Sequence, residues 1–322
     1  MLVHKDFDLA PFLWYKIGGK VKYLLECKNK ADILEALRFI KENNLAKIFV
    51  LGLGSNLIFA EEHFDGAVIR ITKDEKNSSI RLTTEGYVEA FAGELLDDVI
   101  TFSLRNNLVG LEWAGGLPGT VGAAVRGNVG AFGSEIKDTF ISAEILDYSS
   151  GKLEIKTFTD GELRFAYRES LVKTHKKMLV ISAKFELQKV SDESRDKGLA
   201  IYAKNIQFRK DHHPLEYPNC GSVFKNIRDK QQVYKVLSVY PELKDAVEQK
   251  WHGKVAVASL IEKLGLKGYR IGDAQISEKH ALFIVNRGHA RAREVLQLID
   301  LIQEKFQEKF GFRLEVEVEI VK

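Results

Sequence analysis

Hydrophobic positions recur at helical spacing in some stretches of the chain and alternate in others. Residues 31–43 place four branched aliphatic side chains on one helical face. Residues 292–310 place five apolar side chains on one stripe, and Gly311 follows as a helix-ending residue. Two further helices are predicted over residues 94–107 and 255–264.

Short apolar or alternating runs predict the strands. The first two flank the helix at 31–43 and so form a β-α-β unit. Two hairpins are predicted within residues 80–93 and 143–158, where turn residues separate β-type runs. Outside the hairpins, the predicted strands cover residues 23–27, 48–51, 67–72, 178–187, 280–286 and 314–321, and the first two of these are the strands that flank the helix.

Helices and strands mix without regular alternation, which favours an α+β fold. Polar stretches at 73–79 and 189–198 are typical of connections between domains. We therefore predict three domains, covering residues 1–74, 75–195 and 196–322.

Composition narrows the class of protein. The chain has 322 residues, of which 48 are basic and 45 acidic without long single-sign runs, so nothing indicates a nucleic-acid tail or a membrane-binding patch. Cys27 and Cys220 are far apart and lack metal-site spacing, which argues against a disulfide scaffold or a zinc site. Asp6 and Asp8 interrupt any signal-peptide core, and no window approaches the roughly 18 apolar residues of a membrane span. We expect a cytoplasmic protein.

Two glycine-rich segments are candidates for phosphate and ring binding. Residues 52–56, GLGSN, follow a strand, and their backbone N–H groups could bind a pyrophosphate. A tight turn explains them equally well. Residues 110–133 contain a dense series of glycines, which a flat ligand lying against bare main chain would explain. An ordinary loop stays the alternative. Together the segments suggest one large dinucleotide.

The order of motifs in this chain resembles that of the UDP-N-acetylenolpyruvoylglucosamine reductase family over almost its whole length. The motifs are GLGSNL, GLEWAGGLPGTVGAAVRGNVGAFG, FAYRES, NCGSVFKN, GLKG and HALFIVN. The resemblance implies a two-part FAD-binding fold of the vanillyl-alcohol-oxidase type and a C-terminal α+β domain for the UDP-sugar. The interval between Arg168 and Ser222 is short, as in the subtype without an extra tyrosine loop.

The activity implied is reduction of UDP-N-acetylenolpyruvoylglucosamine to UDP-N-acetylmuramate in peptidoglycan precursor synthesis, by a monomer with non-covalent FAD and NADPH as hydride donor. Neither glycine-rich segment contains a His or Cys that could anchor a covalent flavin. The cofactor-binding residues implied are Gly52, Gly54, Ser55, Asn56, Gly115, Gly116, Pro118, Gly119, Thr120, Gly122, Asn128, Gly130 and Gly133.

Three residues are candidates for the chemistry. Arg168 offers a planar fork for a carboxylate, but by sequence alone a surface ion pair is the simpler interpretation. Ser222 follows a glycine and by itself indicates only a turn. Glu315, Glu317 and Glu319 alternate, and period two cannot choose among them. The resemblance implies Arg168 as the carboxylate clamp, Ser222 as the proton donor and Glu317 as the catalytic glutamate.

The resemblance also implies residues that bind the UDP-sugar. Among the departures from the family pattern, Ile227 replaces a proline. His212 and His213 stand where a lysine or similar residue often precedes the proline that corresponds to Pro214, which predicts weaker or pH-sensitive phosphate binding. Tyr269 is a weaker candidate. The substrate-binding residues implied are Tyr167, Lys225, Asn226, Lys267 and His280.

Two other functions stay open from the sequence. A flavin-dependent oxidase of the same fold would need a basic His near the flavin and no UDP site. A flavin- or nucleotide-sugar-binding regulator would keep the glycine-rich segments without needing Arg168, Ser222 and Glu317 together.

Overall fold

The computed structural model of the chain describes all 322 residues. The strands are β1 Leu2–Asp8, β2 Lys20–Cys27, β3 Lys47–Leu51, β4 Leu57–Phe59, β5 His63–Ile71, β6 Ile80–Leu82, β7 Val88–Phe91, β8 Leu108–Val109, β9 Gly130–Ala131, β10 Ser134–Glu135, β11 Phe140–Asp147, β12 Glu154–Thr159, β13 Met178–Phe185, β14 Gln188–Lys189, β15 Asn219–Ser222, β16 Arg270–Ile271, β17 Ala274–Ile276, β18 Phe283–Asn286 and β19 Glu319–Val321. The α-helices are α1 Lys30–Glu42, α2 Leu96–Arg105, α3 Val121–Gly127, α4 Asp160–Leu163, α5 Leu171–Thr174, α6 Asp192–His212, α7 Lys230–Val239, α8 Val257–Lys263 and α9 Ala292–Phe310.

The chain divides into two compact units, each assembled from separate pieces of sequence. Unit 1 comprises Met1–Phe7, Lys20–Leu53 and His63–Arg209. Unit 2 comprises Asp8–Gly19, Gly54–Glu62 and Lys210–Lys322. These units differ from the three contiguous domains predicted over 1–74, 75–195 and 196–322. The reason is long-range pairing: β4 lies parallel to β19, at the far end of the chain.

Unit 1 contains two larger sheets that share one hydrophobic core, and two two-stranded sheets, β10-β9 and β14-β8. The predicted β-α-β unit is present, with β2 and β3 both parallel to β5 in the sheet β1-β2-β5-β3. Both predicted hairpins belong to an antiparallel sheet, β12-β11-β13-β7-β6. The core is a single cluster of buried side chains that includes Leu25 of β2 in the first sheet and Phe185 of β13 in the second. The predicted FAD-binding subdomains, residues 1–74 and 75–195, thus share one core, apart from the two pieces that join unit 2.

Unit 2 is built on the antiparallel sheet β15-β18-β17-β16. Helix α9 buries the predicted apolar stripe and ends at Gly311, whose φ of 72° forms a left-handed cap. The predicted strand over 314–321 is too long. Only Glu319–Val321 forms a strand, and Val316 makes an isolated bridge to Phe224, because the chain changes partner between them.

Helix α6 begins within the polar stretch 189–198, for which the sequence predicted only a connection between domains. Its 21 residues bury Gly198, Asn205 and Arg209, so the covered face carries no apolar stripe that a pattern search would detect. Tyr202 instead anchors the helix through a 2.8 Å hydrogen bond from its hydroxyl to Asp97. No helix of the chain combines the length and apolar character needed to cross a bilayer.

We expect Gly115→Ala to destabilise unit 1 by about 1–3 kcal/mol, as overpacking does. A Cβ at position 115 would lie 2.7 Å from the Tyr202 ring and 2.9 Å from the Tyr202 carbonyl oxygen, so helix α6 would have to shift. Urea unfolding measures the change. Gly119→Ala is the matched control, because a Cβ there meets nothing within 4 Å, and its effect should stay within about 0.5 kcal/mol. Equal losses in the two variants would contradict this account.

Candidate active site

Three glycines of residues 110–133, Gly115, Gly122 and Gly130, are required because the chain approaches itself closely. A Cβ at Gly52 would lie 2.7 Å from Thr120 Oγ1, and one at Gly122 would lie 2.9 Å from the Ala92 Cβ. Gly115 lies under helix α6 in the same way. The ligand inferred from the sequence is therefore not needed to explain these glycines. The structure gives them an internal reason that the sequence could not show.

Gly119 is different. No atom lies within 4 Å of a Cβ built there, and its φ is not left-handed, so neither packing nor conformation requires glycine. Gly133 is open as well, although its φ of 96° in a turn explains that glycine. Trp113, in the same segment, buries its indole Nε1 without a hydrogen-bond partner. Gly119 thus leaves main chain open to a ligand, and Trp113 Nε1 is a donor that the chain itself does not use.

Asn128 connects three parts of unit 1. It is fully buried and left-handed, with a φ of 39°, at the end of α3. Its Nδ2 donates to Glu135 Oε2 and to the Ala166 carbonyl, both at 2.9 Å, and its Oδ1 accepts from the Lys137 N–H at 3.1 Å. The side chain is thus used inside the chain. These bonds give it a positioning role, and its contact with the cofactor stays a prediction.

Arg168 is held in a strained turn that contains Ala166, whose carbonyl accepts from Asn128. Reciprocal 3.1 Å hydrogen bonds between Ala166 and Glu169 close the turn, and Arg168 takes a φ of 61°. Such a conformation costs a bulky residue on the order of 1–3 kcal/mol. The guanidinium Nη2 donates to the Gly130 carbonyl at 2.6 Å, and its carbon lies 5.0 Å from the centre of the Tyr167 ring. Arg168 is therefore a fixed, half-buried cation rather than a mobile surface arginine.

Ser222 lies in unit 2, at the end of β15, between two neighbouring segments. On one side it pairs with Phe283 of β18. On the other, the next residue, Val223, accepts a 2.8 Å hydrogen bond from the Glu317 N–H. Gly221 precedes it with a φ of 77°, a conformation that favours glycine. The partly exposed Ser222 hydroxyl makes no hydrogen bond within the chain, so it is available to a ligand.

The three alternating glutamates have different surroundings. Glu315 forms an ion pair with Lys225, whose side chain is only 10% exposed. Glu319 belongs to β19, and its N–H donates to the Asn56 carbonyl at 3.1 Å. Glu317 is the glutamate whose backbone is bonded next to Ser222. The tertiary structure thus separates residues that the alternating pattern could not distinguish.

The predicted substrate residues of unit 2 follow or flank Ser222. Lys225 is buried against Glu315, whereas Asn226 accepts a 3.1 Å hydrogen bond from the Val257 N–H on its Oδ1 and makes no bond through Nδ2. Lys267 is paired with Glu262 at 3.2 Å, a partly exposed contact of small energetic value. Asn226 Nδ2 and the Lys267 ammonium therefore stay accessible to a ligand.

His280 lies in a small aromatic cluster in unit 2. Its ring centre is 5.0 Å from Phe283 and 5.6 Å from His213. Burial, with a further contribution from the nearby His212 and Lys267 charges, lowers the pKa of His280. Its Nδ1 accepts from the Leu282 N–H at 3.3 Å, so the neutral ring carries its proton on Nε2 and offers a donor there.

The predicted phosphate loop Gly52–Asn56 is divided at the unit boundary. Gly54, Ser55 and Asn56 belong to unit 2, where the Ser55 carbonyl lies 3.8 Å from a Cβ built on Gly221. Gly54 is left-handed, with a φ of 66°. The loop therefore adjoins the strand that carries Ser222. Thr120, also predicted as a cofactor contact, is 98% buried and caps α3 through Oγ1.

Sequence reasoning missed one residue of this region. Arg209 of helix α6 is buried against the Gly115 carbonyl, to which its Nε donates at 2.9 Å. Nothing near residue 209 in the sequence links it to residue 115. A search for arginines on the covered face of a polar helix could have found it only once that helix was known.

We expect Asn128→Asp to destabilise the protein by roughly 1–3 kcal/mol, because the new carboxylate faces the Glu135 carboxylate and the Ala166 carbonyl. Burial and repulsion raise the pKa of the introduced acid in the folded state, so the loss should shrink as pH falls from 8 to 5. Urea unfolding at both values measures it. Asn106→Asp is the control, since its Nδ2 donates to a single carbonyl at the end of α2. A loss at Asn128 that is no larger than the control would contradict the positioning role.

Comparisons with known proteins agree with this arrangement. A model described as an FAD binding domain matches residues 21–155, and one described as the C-terminal domain of UDP-N-acetylenolpyruvoylglucosamine reductase matches residues 213–321. The reductase of Caldicellulosiruptor saccharolyticus is 38% identical over 317 residues, covering 98% of this chain and 91% of the relative. That of Latilactobacillus sakei is 38% identical over 320 residues, covering 99% and 93%.

A solved structure supports the same conclusion. The crystal structure of UDP-N-acetylenolpyruvylglucosamine reductase from Thermus caldophilus matches with a TM-score of 0.75 and 27% identity, covering 100% of both chains. The match confirms the predicted α+β architecture, a two-part FAD-binding fold with a C-terminal domain. The chain therefore belongs to the UDP-N-acetylenolpyruvoylglucosamine reductase family and is an FAD-dependent oxidoreductase.

Proposed function

We propose that this chain reduces UDP-N-acetylenolpyruvoylglucosamine to UDP-N-acetylmuramate, with NADPH as hydride donor, and that Arg168, Ser222 and Glu317 carry the chemistry. Family membership over 98% of the chain supports the reaction. The observation that carries the residue assignment is the Ser222 hydroxyl, which is fixed between two paired segments and has no partner of its own.

The residues of unit 1 fit FAD. Gly119 leaves open main chain, and Trp113 Nε1 and the terminal nitrogens of Arg209 are buried or half-buried donors without partners. When bound, FAD supplies hydride to the terminal carbon of the enolpyruvyl vinyl group. No covalent anchor is proposed, so denaturation should release the flavin.

Arg168 is assigned to the substrate carboxylate. Hydride addition leaves negative charge delocalised over the neighbouring carbon and that carboxylate, so a fixed cation lowers the barrier more than a mobile one. The strained turn and the bond to Gly130 fix this guanidinium before substrate arrives. Because an arginine fork remains charged at any working pH, the clamp needs no proton of its own.

Ser222 is assigned as the proton donor to that carbon. A hydroxyl is a weak acid, so it can serve only if the carbon is strongly basic and the O–H is held in line with it. The backbone around Ser222 supplies such rigidity, through Gly221 before it and Val223 after it. After donation, the serine alkoxide must regain a proton from solvent or from a relay.

Glu317 is assigned to the charge on the carboxylate, either protonated as a hydrogen-bond donor or within the relay that reprotonates Ser222. Its backbone bond to Val223 supports a place beside the donor. Glu315 is assigned no catalytic role, because its ion pair holds it at Lys225, three residues beyond Ser222.

Tyr167, Asn226, Lys267 and His280 are proposed to bind the UDP-sugar. Asn226 Nδ2, the Lys267 ammonium and the neutral His280 Nε2–H are suitable donors for sugar and diphosphate oxygens. Lys225, whose side chain is paired with Glu315, is proposed as a further substrate contact. We further propose action as a monomer in the cytoplasm, where NADPH is available; the two buried free thiols fit a reducing compartment.

An oxidase of the same fold is the main alternative. It would reduce its flavin with a hydroxy acid and pass the electrons to oxygen. The proposed enzyme oxidises more than one NADPH per flavin only when the enolpyruvyl substrate is present to reoxidise the flavin. Substrate-dependent loss of NADPH absorbance therefore distinguishes the two.

We expect Ser222→Ala to leave reduction of the bound flavin by NADPH unchanged and to slow its reoxidation by the enolpyruvyl substrate at least about 100-fold. The reason is that only the second half-reaction needs the proton. Stopped-flow absorbance of the flavin measures both. Ser238→Ala, which removes an exposed hydroxyl from α7, should change neither. Equal slowing of the two half-reactions by Ser222→Ala would refute the proton-donor role.

Arg168→Lys should lower kcat/KM for the enolpyruvyl substrate by about 100-fold, since an ammonium cannot provide the planar fork. Arg164→Lys is the matched control, because Arg164 also has a left-handed φ, 48°, but is exposed. Steady-state NADPH oxidation gives both values. Similar activity in the two variants would remove Arg168 from the mechanism.

A further inference from the structure

Strand β15 has one residue more than its partner strand immediately before Ser222. Asn219 pairs with Val285 of β18, and Ser222 pairs with Phe283. Three steps along β15 therefore match two steps along β18, which is a β-bulge. The bulge contains Gly221, whose φ is 77°. Because a bulge redirects the side chain that follows it, the orientation of Ser222 depends on what holds this one.

The bulge also decides which face of the strand Ser222 occupies. In a regular strand Ser222 would share a face with Cys220, whose side chain is fully buried in the core of unit 2. Since the two β18 partners are themselves two residues apart, the bulge instead places Ser222 on the same face as Asn219. The extra residue therefore takes the serine hydroxyl off the face that the buried thiol occupies.

The side chain of Asn219 supplies bonds that hold the bulge. It is 4% exposed, and its Oδ1 accepts from the Gly221 N–H at 3.0 Å. Its Nδ2 donates to the Tyr217 carbonyl at 2.9 Å and to the Pro214 carbonyl at 3.3 Å. An asparagine that accepts from the backbone two residues ahead closes a turn with its own side chain. Asn219 therefore ties the bulge to the preceding turn.

Backbone bonds fix the chain on each side of the bulge. The Pro218 carbonyl accepts from the Asn286 N–H at 2.8 Å, and the Val223 N–H donates to the Leu282 carbonyl at 2.9 Å. The Gly221 N–H between them is satisfied by Asn219. The Asn219 side chain thus restrains the irregular step between two stretches of backbone pairing.

We propose that Asn219 is a positioning residue for Ser222, because it holds the bulge in the form that aims the serine hydroxyl at the substrate carbon. The proposal rests on the role of Ser222 as proton donor. Asn219 acts through the backbone of Gly221 and Ser222 and contacts no reacting atom. Proton transfer needs the donor in line with its target, and misplacing a reacting group by about 1 Å can cost roughly 100-fold in rate.

Asn219→Ala removes all three side-chain bonds. We expect reoxidation of the reduced flavin by saturating enolpyruvyl substrate to slow at least about tenfold. Flavin reduction by NADPH and the half-saturating substrate concentration should both stay within about twofold, because binding does not depend on the aim of the hydroxyl. Stopped-flow absorbance of the holoenzyme at several substrate concentrations measures these values. Loss of substrate affinity with an unchanged saturated rate would overturn the proposal.

Asn286→Ala is the matched control for lost stability. Asn286 is 2% exposed, and its side chain also makes three bonds to the backbone, but to residues 15, 288 and 290 rather than to the bulge. Urea unfolding should show losses of similar size in the two variants, while reoxidation in Asn286→Ala stays within about twofold of wild type. Equal slowing of reoxidation in both variants would reduce Asn219 to a structural residue.

A double-mutant cycle tests whether Asn219 acts through Ser222. Once Ser222→Ala has removed the hydroxyl, adding Asn219→Ala should slow reoxidation by no more than about a further twofold, because no donor remains to be aimed. A further loss as large as in the wild-type background would overturn the proposal. Ser222→Ala with a wild-type reoxidation rate would instead refute the proton donor itself, whatever Asn219→Ala shows.

Gly221→Ala provides a second variant if Asn219→Ala does not fold. A φ of 77° disfavours alanine, whereas the added Cβ would lie 3.8 Å from the Ser55 carbonyl oxygen, an ordinary contact. The substitution therefore strains the bond to Asn219 from its other end, and reoxidation should slow several-fold with flavin reduction unchanged. Gly253→Ala is the control, since its φ is 78° and a Cβ there meets nothing within 4 Å. A wild-type reoxidation rate in Gly221→Ala would overturn the proposal.

Discussion

Close approach of backbone to backbone along residues 110–133 is the constraint on which much of unit 1 depends. Glycine at positions 115 and 116 lets helix α6 lie directly on the main chain, and glycine at 122 and 52 lets neighbouring segments pack without side chains between them. Because α6 has no apolar stripe, this contact and its polar bonds hold it. The position of Arg209 follows from the same contact.

In unit 1, three non-glycine residues of the region described above have a strained backbone. Asn128, Phe132 and Arg168 all have positive φ without being glycine. Each conformation is maintained by its surroundings: Asn128 by three side-chain hydrogen bonds, and Arg168 by the closed turn and the Gly130 carbonyl. Strain retained in this way is typical of positions where a side chain must be fixed before a ligand arrives. It supports a preorganised Arg168 in the proposed reaction.

In unit 2 the corresponding constraint is the pairing of residues 222–225 with both β18 and residues 315–317. The Ser222 hydroxyl is left accessible because its neighbours Val223 and Phe224 are buried and carry the packing. Lys225 pairs with Glu315, whereas the Glu317 N–H is bonded to the Val223 carbonyl, next to Ser222. The same backbone hydrogen bonds therefore fix the segment around Ser222 and place Glu315 and Glu317 at different positions along it.

The sequence by itself determined the elements whose signals are local. Helices α1 and α9 and the two hairpins follow from apolar periodicity and turn residues, and the order of motifs indicated the family, the cofactor and the reaction. Only the tertiary structure decided what depends on distant partners. It placed residues 8–19 and 54–62 with the C-terminal unit, since β4 pairs with β19, and it shortened the last strand. It also showed which glycines serve packing, which glutamate lies beside Ser222, and that Arg209 is buried without a counter-charge. A sequence pattern records which side chains a position tolerates, whereas packing, pairing and charge balance depend on which distant atoms come to lie against it.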